Sequence, residues 1–314
     1  MELFITTFES VATLLIIGIL GFLIIRKKIL SSKILGFLSP LALEIALPSL
    51  VFTNIIRDFN PNEFPDWWQL PLWWGFFTVM AAGLTFVFMY ISKKNNRSEF
   101  ASSLFYQNGI FFPLAIIAGM YGSDSSYLSI LFIFTVFYPA FFFTSIRFFY
   151  KTKTEQKINI RKIFHPVLIV TILAILLKLL SIGMIIPELI ISTFSLVGGM
   201  TVPLLMIILG GNFYIDLKKT GEIKYLEISK FVIIKNIVFP LIFLIIIIMI
   251  KDYLSYHIAL ILMLQAAVPP VTAVPLLTER YGGDRAIVNQ FLVSSFLCSL
   301  ITIPIMISLF SQYY

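Results

Sequence analysis

The stretch "QAAVPPVTAVPLL", residues 265–277, decides how the chain is read. It lies inside an apolar run long enough to cross a bilayer, yet it contains Gln265 and three prolines, Pro269, Pro270 and Pro275. Proline lacks the backbone donor, and its ring clashes with the carbonyl four residues back, so the segment cannot be one continuous helix. Hydrocarbon offers no partner to a freed N–H or C=O. The break therefore needs compensation from elsewhere in the chain, and a counterpart is present. "SLFYQNGIFFPLAI", residues 103–116, sets Gln107, Asn108 and Gly109 just ahead of Pro113.

Composition fixes the class around these two stretches. Hydrophobic residues make up 59% of the 314, charged residues 12%, and mean hydropathy is +0.97. A soluble domain carries about twice that charge, so an all-α integral membrane protein is expected. Cys298 is the only cysteine, which excludes an internal disulfide framework and suits a small packing hydrophobe. His165 and His257 fall near span ends and make no metal pair, so no metal or other cofactor is expected. The first residues, "MELFITTFES", are acidic rather than basic, and the first apolar run reads as a retained span.

A crossing helix takes about 20 mostly apolar residues. Such runs occur near 3–25, 34–56, 67–91, 100–120 and 126–149, and again near 164–181, 188–213, 228–250, 256–278 and 287–310. Lys and Arg test the count, because they gather on the cytoplasmic side. The odd connections hold Arg26, Lys27, Lys28, Lys33, then Lys93, Lys94, Arg97, then Lys151, Lys153, Lys157, Arg161, Lys162. They continue with Lys218, Lys219 and Lys224, and end with Arg280 and Arg285. The even connections hold only Arg57, Lys178 and Lys251, beside Asp58, Glu63, Asp66 and Asp124. This parity predicts ten spans in the cell membrane with both termini outside, and it makes the net charge of +7 a feature of the cytoplasmic face rather than a nucleic-acid footprint. Trp67, Trp68, Trp73 and Trp74 fit an outer aromatic belt.

The central basic segment, 151–163, divides the chain into 1–150 and 164–314, with five spans each. Five is odd, so halves that share a fold must be inverted. Pro48 and Pro203, Pro113 and Pro270, and Pro139 and Pro304 fall at matching places, and "IALPSLVF" resembles "MTVPLLMI". Inverted repeats with broken helices at matching positions are the design of secondary transporters. If the breaks in spans four and nine cross near the midplane, each shields the other's freed backbone groups. The half-helix N-termini then favour an anion. Gln107, Asn108, Gly109, Pro113, Gln265, Pro269, Pro270 and Thr272 form the candidate substrate-binding set. The plain alternative is a pair of proline kinks satisfied by neighbouring helices.

Two charges lie inside spans. Glu44 stands four residues before Pro48, where it either carries a coupling proton or reaches the interface or a carbonyl freed by the proline. Lys235, five residues before Pro240, either neutralises a carboxylate or snorkels or pairs structurally, and the second reading is preferred. Asn289 and Gln290 open span ten, where capping or interface contacts are expected. Paired catalytic carboxylates, a serine elbow and a phosphate-cradling loop are all missing from the sequence, so an enzyme is not expected. The pairs Gly198–Gly199 and Gly210–Gly211 suit close packing or sliding of span seven.

Taken in order, "ALPSLVF", "QNGIFFPLAI", "GGMTVPLLMIILGGNF", "KNIVFPLIFL" and "AAVPPVTAVPLLTERYGGD" resemble the auxin efflux carrier family over nearly the whole chain. The resemblance implies two inverted five-helix repeats, similar to bile acid:sodium symporters. Spans 1, 2, 6 and 7 would form a scaffold, and spans 3–5 and 8–10 a moving unit of elevator type. Asn108, Gly109 and Pro113 would take the crossover positions of span four, and Pro269 and Pro270 those of span nine. It also implies export or exchange of organic anions, auxin-like or dicarboxylate. The long central loop of the plant carriers is missing, so auxin itself is not implied as the substrate. The expected partners are a small organic anion, the lipid bilayer, protons and a second copy of the chain. The rival readings are a sodium-coupled symporter of the bile-acid type, disfavoured by the scarcity of acids near the breaks, and a membrane receptor that binds without moving its ligand.

Overall fold

The computed structural model describes residues 2–122, 125–150, 165–219 and 222–314. The expected linker with Lys151, Lys153, Lys157, Arg161 and Lys162 lies outside the described residues, as does Asp124. Among the described residues all regular structure is helical, apart from one isolated antiparallel bridge between Gln107 and Pro270. Seven stretches are long and apolar enough to cross a membrane: Glu2–Arg26, Ile34–Asp58, Trp67–Ile91, Ser126–Phe149, Glu188–Leu217, Tyr225–Met249 and Arg285–Phe310. Three shorter apolar helices, Phe111–Tyr121, Pro166–Leu179 and Tyr256–Ala267, lie among them.

Helix α1 (Glu2–Arg26) runs unbroken. It is apolar on its outward face as well as its inward one: Ile16 is 58% exposed while Val11 is buried. A helix apolar all round is either in a core or in lipid, and the exposure selects lipid. The second span is α2 (Ile34–Pro40), a π turn (Leu41–Ala46) and α3 (Leu47–Asp58). Pro48 has no N–H to give to the carbonyl of residue 44. The ladder shifts instead to five-residue spacing, Leu47 N–H donating to Ala42 O. Pro240 leaves the same mark between α12 (Tyr225–Ile233) and α13 (Phe239–Met249), where Phe239 N–H donates to Ile234 O.

The remaining elements are α4 (Leu70–Phe88), α5 (Arg97–Phe105), α6 (Phe111–Tyr121), α7 (Ser126–Phe134), α8 (Tyr138–Ser145) and α9 (Pro166–Leu179). After them come α10 (Glu188–Gly199), α11 (Thr201–Lys219), α14 (Tyr256–Ala267), α15 (Val274–Arg280) and α16 (Arg285–Phe310). Ends are satisfied locally. Asp284 caps α16 by accepting from Ala286 N at 2.9 Å and Ile287 N at 3.3 Å. Lys178 Nζ reaches across to the C-terminal carbonyls of α3, Ile56 O at 2.6 Å and Arg57 O at 3.2 Å, where a cation favours the helix dipole.

Two features position the centre. Helices α1 and α11 touch through backbone: a Cβ at Gly210 would overlap the carbonyl of Gly18, and one at Gly21 the backbone of Ile207. Small residues bring membrane helices this close. Every residue of α14 from His257 to Ala267 is buried, so its polar groups must be paired inside the protein.

Candidate functional site

The two interrupted segments meet. Helix α5 ends at Phe105 and α6 begins at Phe111; α14 ends at Ala267 and α15 begins at Val274. The intervening residues run antiparallel, with Asn108 N–H donating to Pro269 O at 2.7 Å and Val271 N–H to Tyr106 O at 2.9 Å. Each break thus supplies the partner that the other one lost. Pro270 faces Gln107 across this bridge, so its missing donor falls at the pair's centre while the flanking bonds are made.

Side chains lock the meeting. Gln265 Nε2 donates to Gly109 O at 2.6 Å, and Gln107 Nε2 lies 3.5 Å from Gln265 Oε1. Tyr138 from α8 donates its hydroxyl to Gln107 O at 2.5 Å. A Cβ on Gly109 would overlap the Gln265 amide, which is why a glycine stands there. Pro113 is in the first turn of α6, where a missing N–H is tolerated. Asn108 Oδ1 accepts from Phe111 N at 3.4 Å. Gln107 Oε1 and Asn108 Nδ2 find no partner among the described residues, although the two residues are 3% and 1% exposed. Leaving a buried polar atom unpaired costs about 1–3 kcal/mol. A buried acceptor and a buried donor are therefore available to a solute.

Thr272 takes no part in the bonds given above. It lines a cavity of about 80 Å³ between α11, α15 and α16, with Asn212, Asp216, Arg285 and Asn289. Arg285 Nη2 pairs with Asp216 Oδ1 at 2.5 Å, and Nη1 pairs with Glu279.

A family model described as membrane transport protein matches residues 6–159 and 152–307. The chain belongs to the auxin efflux carrier family. No curated protein matches it. Family membership and the apolar helices make it a multi-pass membrane protein of a transporter family, a family that is not enzymatic.

The structure brings together seven of the candidate residues of this family member, Gln107, Asn108, Gly109, Pro113, Gln265, Pro269 and Pro270, and sets Thr272 on the adjoining cavity. Glu44 is not among them. It sits exposed on the π turn before Pro48. Lys235 corrects the snorkelling half of the preferred reading. Snorkelling would expose its ammonium, but the residue is fully buried, its Nζ has no hydrogen-bond partner among the described residues, and it lies 4.6 Å from the Phe239 ring centroid. The π turn there winds Lys235 toward α14 and α16 instead of the surface. Gln290 makes the expected interface contacts, to Lys224 N and Glu222 O, whereas Asn289 lines the cavity.

The sequence does not single out the cavity residues Asn212, Asp216 and Arg285, because Arg285 counts as a connection charge and Asp216 stands beside a basic turn. A signal was present. Asn212 and Asp216 are four apart on α11, and Arg285 and Asn289 four apart on α16, so each pair shares one helix face.

Proposed function

We propose that this family member is a secondary carrier that moves a small organic anion across the cytoplasmic membrane by alternating access, in the direction of export. The observation that carries the reading is the meeting of two interrupted helices around an unpaired, buried amide donor, Asn108 Nδ2. A carboxylate oxygen accepts such a donor without a competing water, and discontinuous helices meeting inside a bundle are the recurrent binding site of secondary transporters. The reading includes ten spans, with the α5–α6 pair, α9 and the α14–α15 pair added to the seven long stretches. It also includes two inverted five-span repeats, 1–150 and 164–314, joined by 151–163, and both termini outside. Spans 3–5 and 8–10 would move as a unit against spans 1, 2, 6 and 7. Support for a stiff moving unit comes from the backbone bridge between Tyr106–Asn108 and Pro269–Val271.

The test is flux of labelled carboxylates into proteoliposomes. Wild-type protein is expected to exchange a carboxylate, and Asn108→Ala to lose the flux by more than about tenfold while unfolding at nearly the same temperature. Equal flux in the variant removes Asn108 from the site, and an absence of flux under every imposed gradient removes the carrier. Glu44 is proposed as the group carrying a coupling proton, and Glu44→Gln should flatten the dependence of flux on pH. A variant with unchanged pH dependence ends that role.

A further inference from the structure

The cavity beside Thr272 has the makings of an anion site with its own internal stand-in. Arg285 is held by two carboxylates, Asp216 from α11 and Glu279 from α15, through its two terminal nitrogens. Its remaining nitrogen, Nε, is buried and has no hydrogen-bond partner among the described residues. A guanidinium offers its Nε and Nη2 edge to both oxygens of one carboxylate, which is the strong, bidentate form of the pair. Asp216 occupies only the Nη2 half of that edge through Oδ1.

The surroundings restrict the ligand further. Asn212, Thr272 and Asn289 supply neutral polar groups, and the rest of the wall is apolar apart from Asp216 and Arg285. Leu209, Phe213, Leu292 and Val293 also line a neighbouring cavity of about 310 Å³ whose walls are wholly apolar. One carboxylate finds a partner at Arg285. A second carboxylate on the same ligand would find no second cation in this lining, only neutral polar groups, the carboxylates of Asp216 and Glu279 or apolar walls, and burying a charge without a counter-ion is expensive.

We propose that Arg285 is a binding residue for an amphipathic monocarboxylate, which takes the Nε and Nη2 edge in place of Asp216 and lays its apolar body along Phe213 and Leu292. The proposal rests on the reading that this carrier moves organic anions, and it adds a second contact, in the cavity that Thr272 lines. Asp216 is then an internal competitor. It neutralises Arg285 when the cavity is empty, and it lowers the apparent affinity by the fraction of time it holds the edge.

The experiment measures binding of labelled benzoate to the purified full-length protein by scintillation proximity, with succinate as competitor. The set is wild type, Asp216→Asn, Arg285→Gln, Arg285→Lys and Asn108→Ala, each checked for folding by its thermal unfolding. Asp216→Asn is expected to bind benzoate about tenfold more tightly. Arg285→Gln should lose binding, Arg285→Lys should recover only part of it, and succinate should compete poorly. If Arg285→Gln does not fold, Asp216→Asn alone decides: unchanged or weaker binding overturns the proposal. Benzoate binding that is lost in Asn108→Ala but unaffected in Asp216→Asn and Arg285→Gln overturns this site and leaves the carrier reading standing. Failure of both wild type and Asp216→Asn to bind any carboxylate overturns the two together.

Discussion

Gln265 is bonded through both ends of its amide, and each bond binds one break to the other. Its Nε2 holds Gly109 O at 2.6 Å, and its Oε1 faces Gln107 Nε2. Gly109→Ala would push a methyl group into that amide. Because Gln265 is 1% exposed, it cannot swing into water, and the lost hydrogen bond should cost about 1–3 kcal/mol. The expected outcome is a lower unfolding temperature together with reduced flux. An alanine variant as stable as wild type would mean that the amide moves freely. At this scale the sequence displayed Gln107, Asn108 and Gln265, since amides beside prolines stand out in an apolar run. It could not display which amide atoms stay unpaired, because that depends on partners 156 residues away.

Among the elements, the α1–α11 contact shows how much a residue's helix face matters. Gly198, Gly199, Gly210 and Gly211 look alike in the sequence. In the fold Gly210 meets the backbone of α1, Gly198 meets the backbone of Leu50 and Gly211 meets the Leu35 side chain, but nothing lies within 4 Å of a Cβ placed on Gly199. Gly210→Val should therefore lower stability by about 1–3 kcal/mol or more through overpacking, whereas Gly199→Val should be tolerated. Thermal unfolding in detergent measures both, and equal effects would mean that the close approach is not maintained. The π turns tell a similar story. Pro48 and Pro240 announced irregular helices, but a missing N–H can be met by a kink, a water or a widened turn. Only the packing of the finished helix chooses among them. That choice is what turned Lys235 inward and overruled the snorkelling reading.

For the molecule as a whole, lysine and arginine parity makes a claim about which end faces the cytoplasm. Lys94 is exposed beside α5, and Tyr253 is 82% exposed beside α14. In a Cys298→Ala background, Lys94→Cys should react with an impermeant thiol reagent only in inside-out vesicles, and Tyr253→Cys only in right-side-out ones. The reverse pattern, or labelling of both from one side, would overturn the orientation. The apolar helices and the two breaks were legible because hydrophobic length and proline are local signals. The Asp216–Arg285 pair was not, because residues 69 apart in the chain become neighbours only when α16 lies against α11.

The bridge between the breaks has a mechanical corollary. Its bonds join main-chain atoms, so a side-chain replacement other than proline leaves both donors and both acceptors in place. The knot that ties the early part of the polypeptide to the late part is thereby insulated from whatever decides cargo. On the proposed carrier reading, exchanging Asn108, Thr272 or Arg285 would retune what is carried while the rigid joint stays intact.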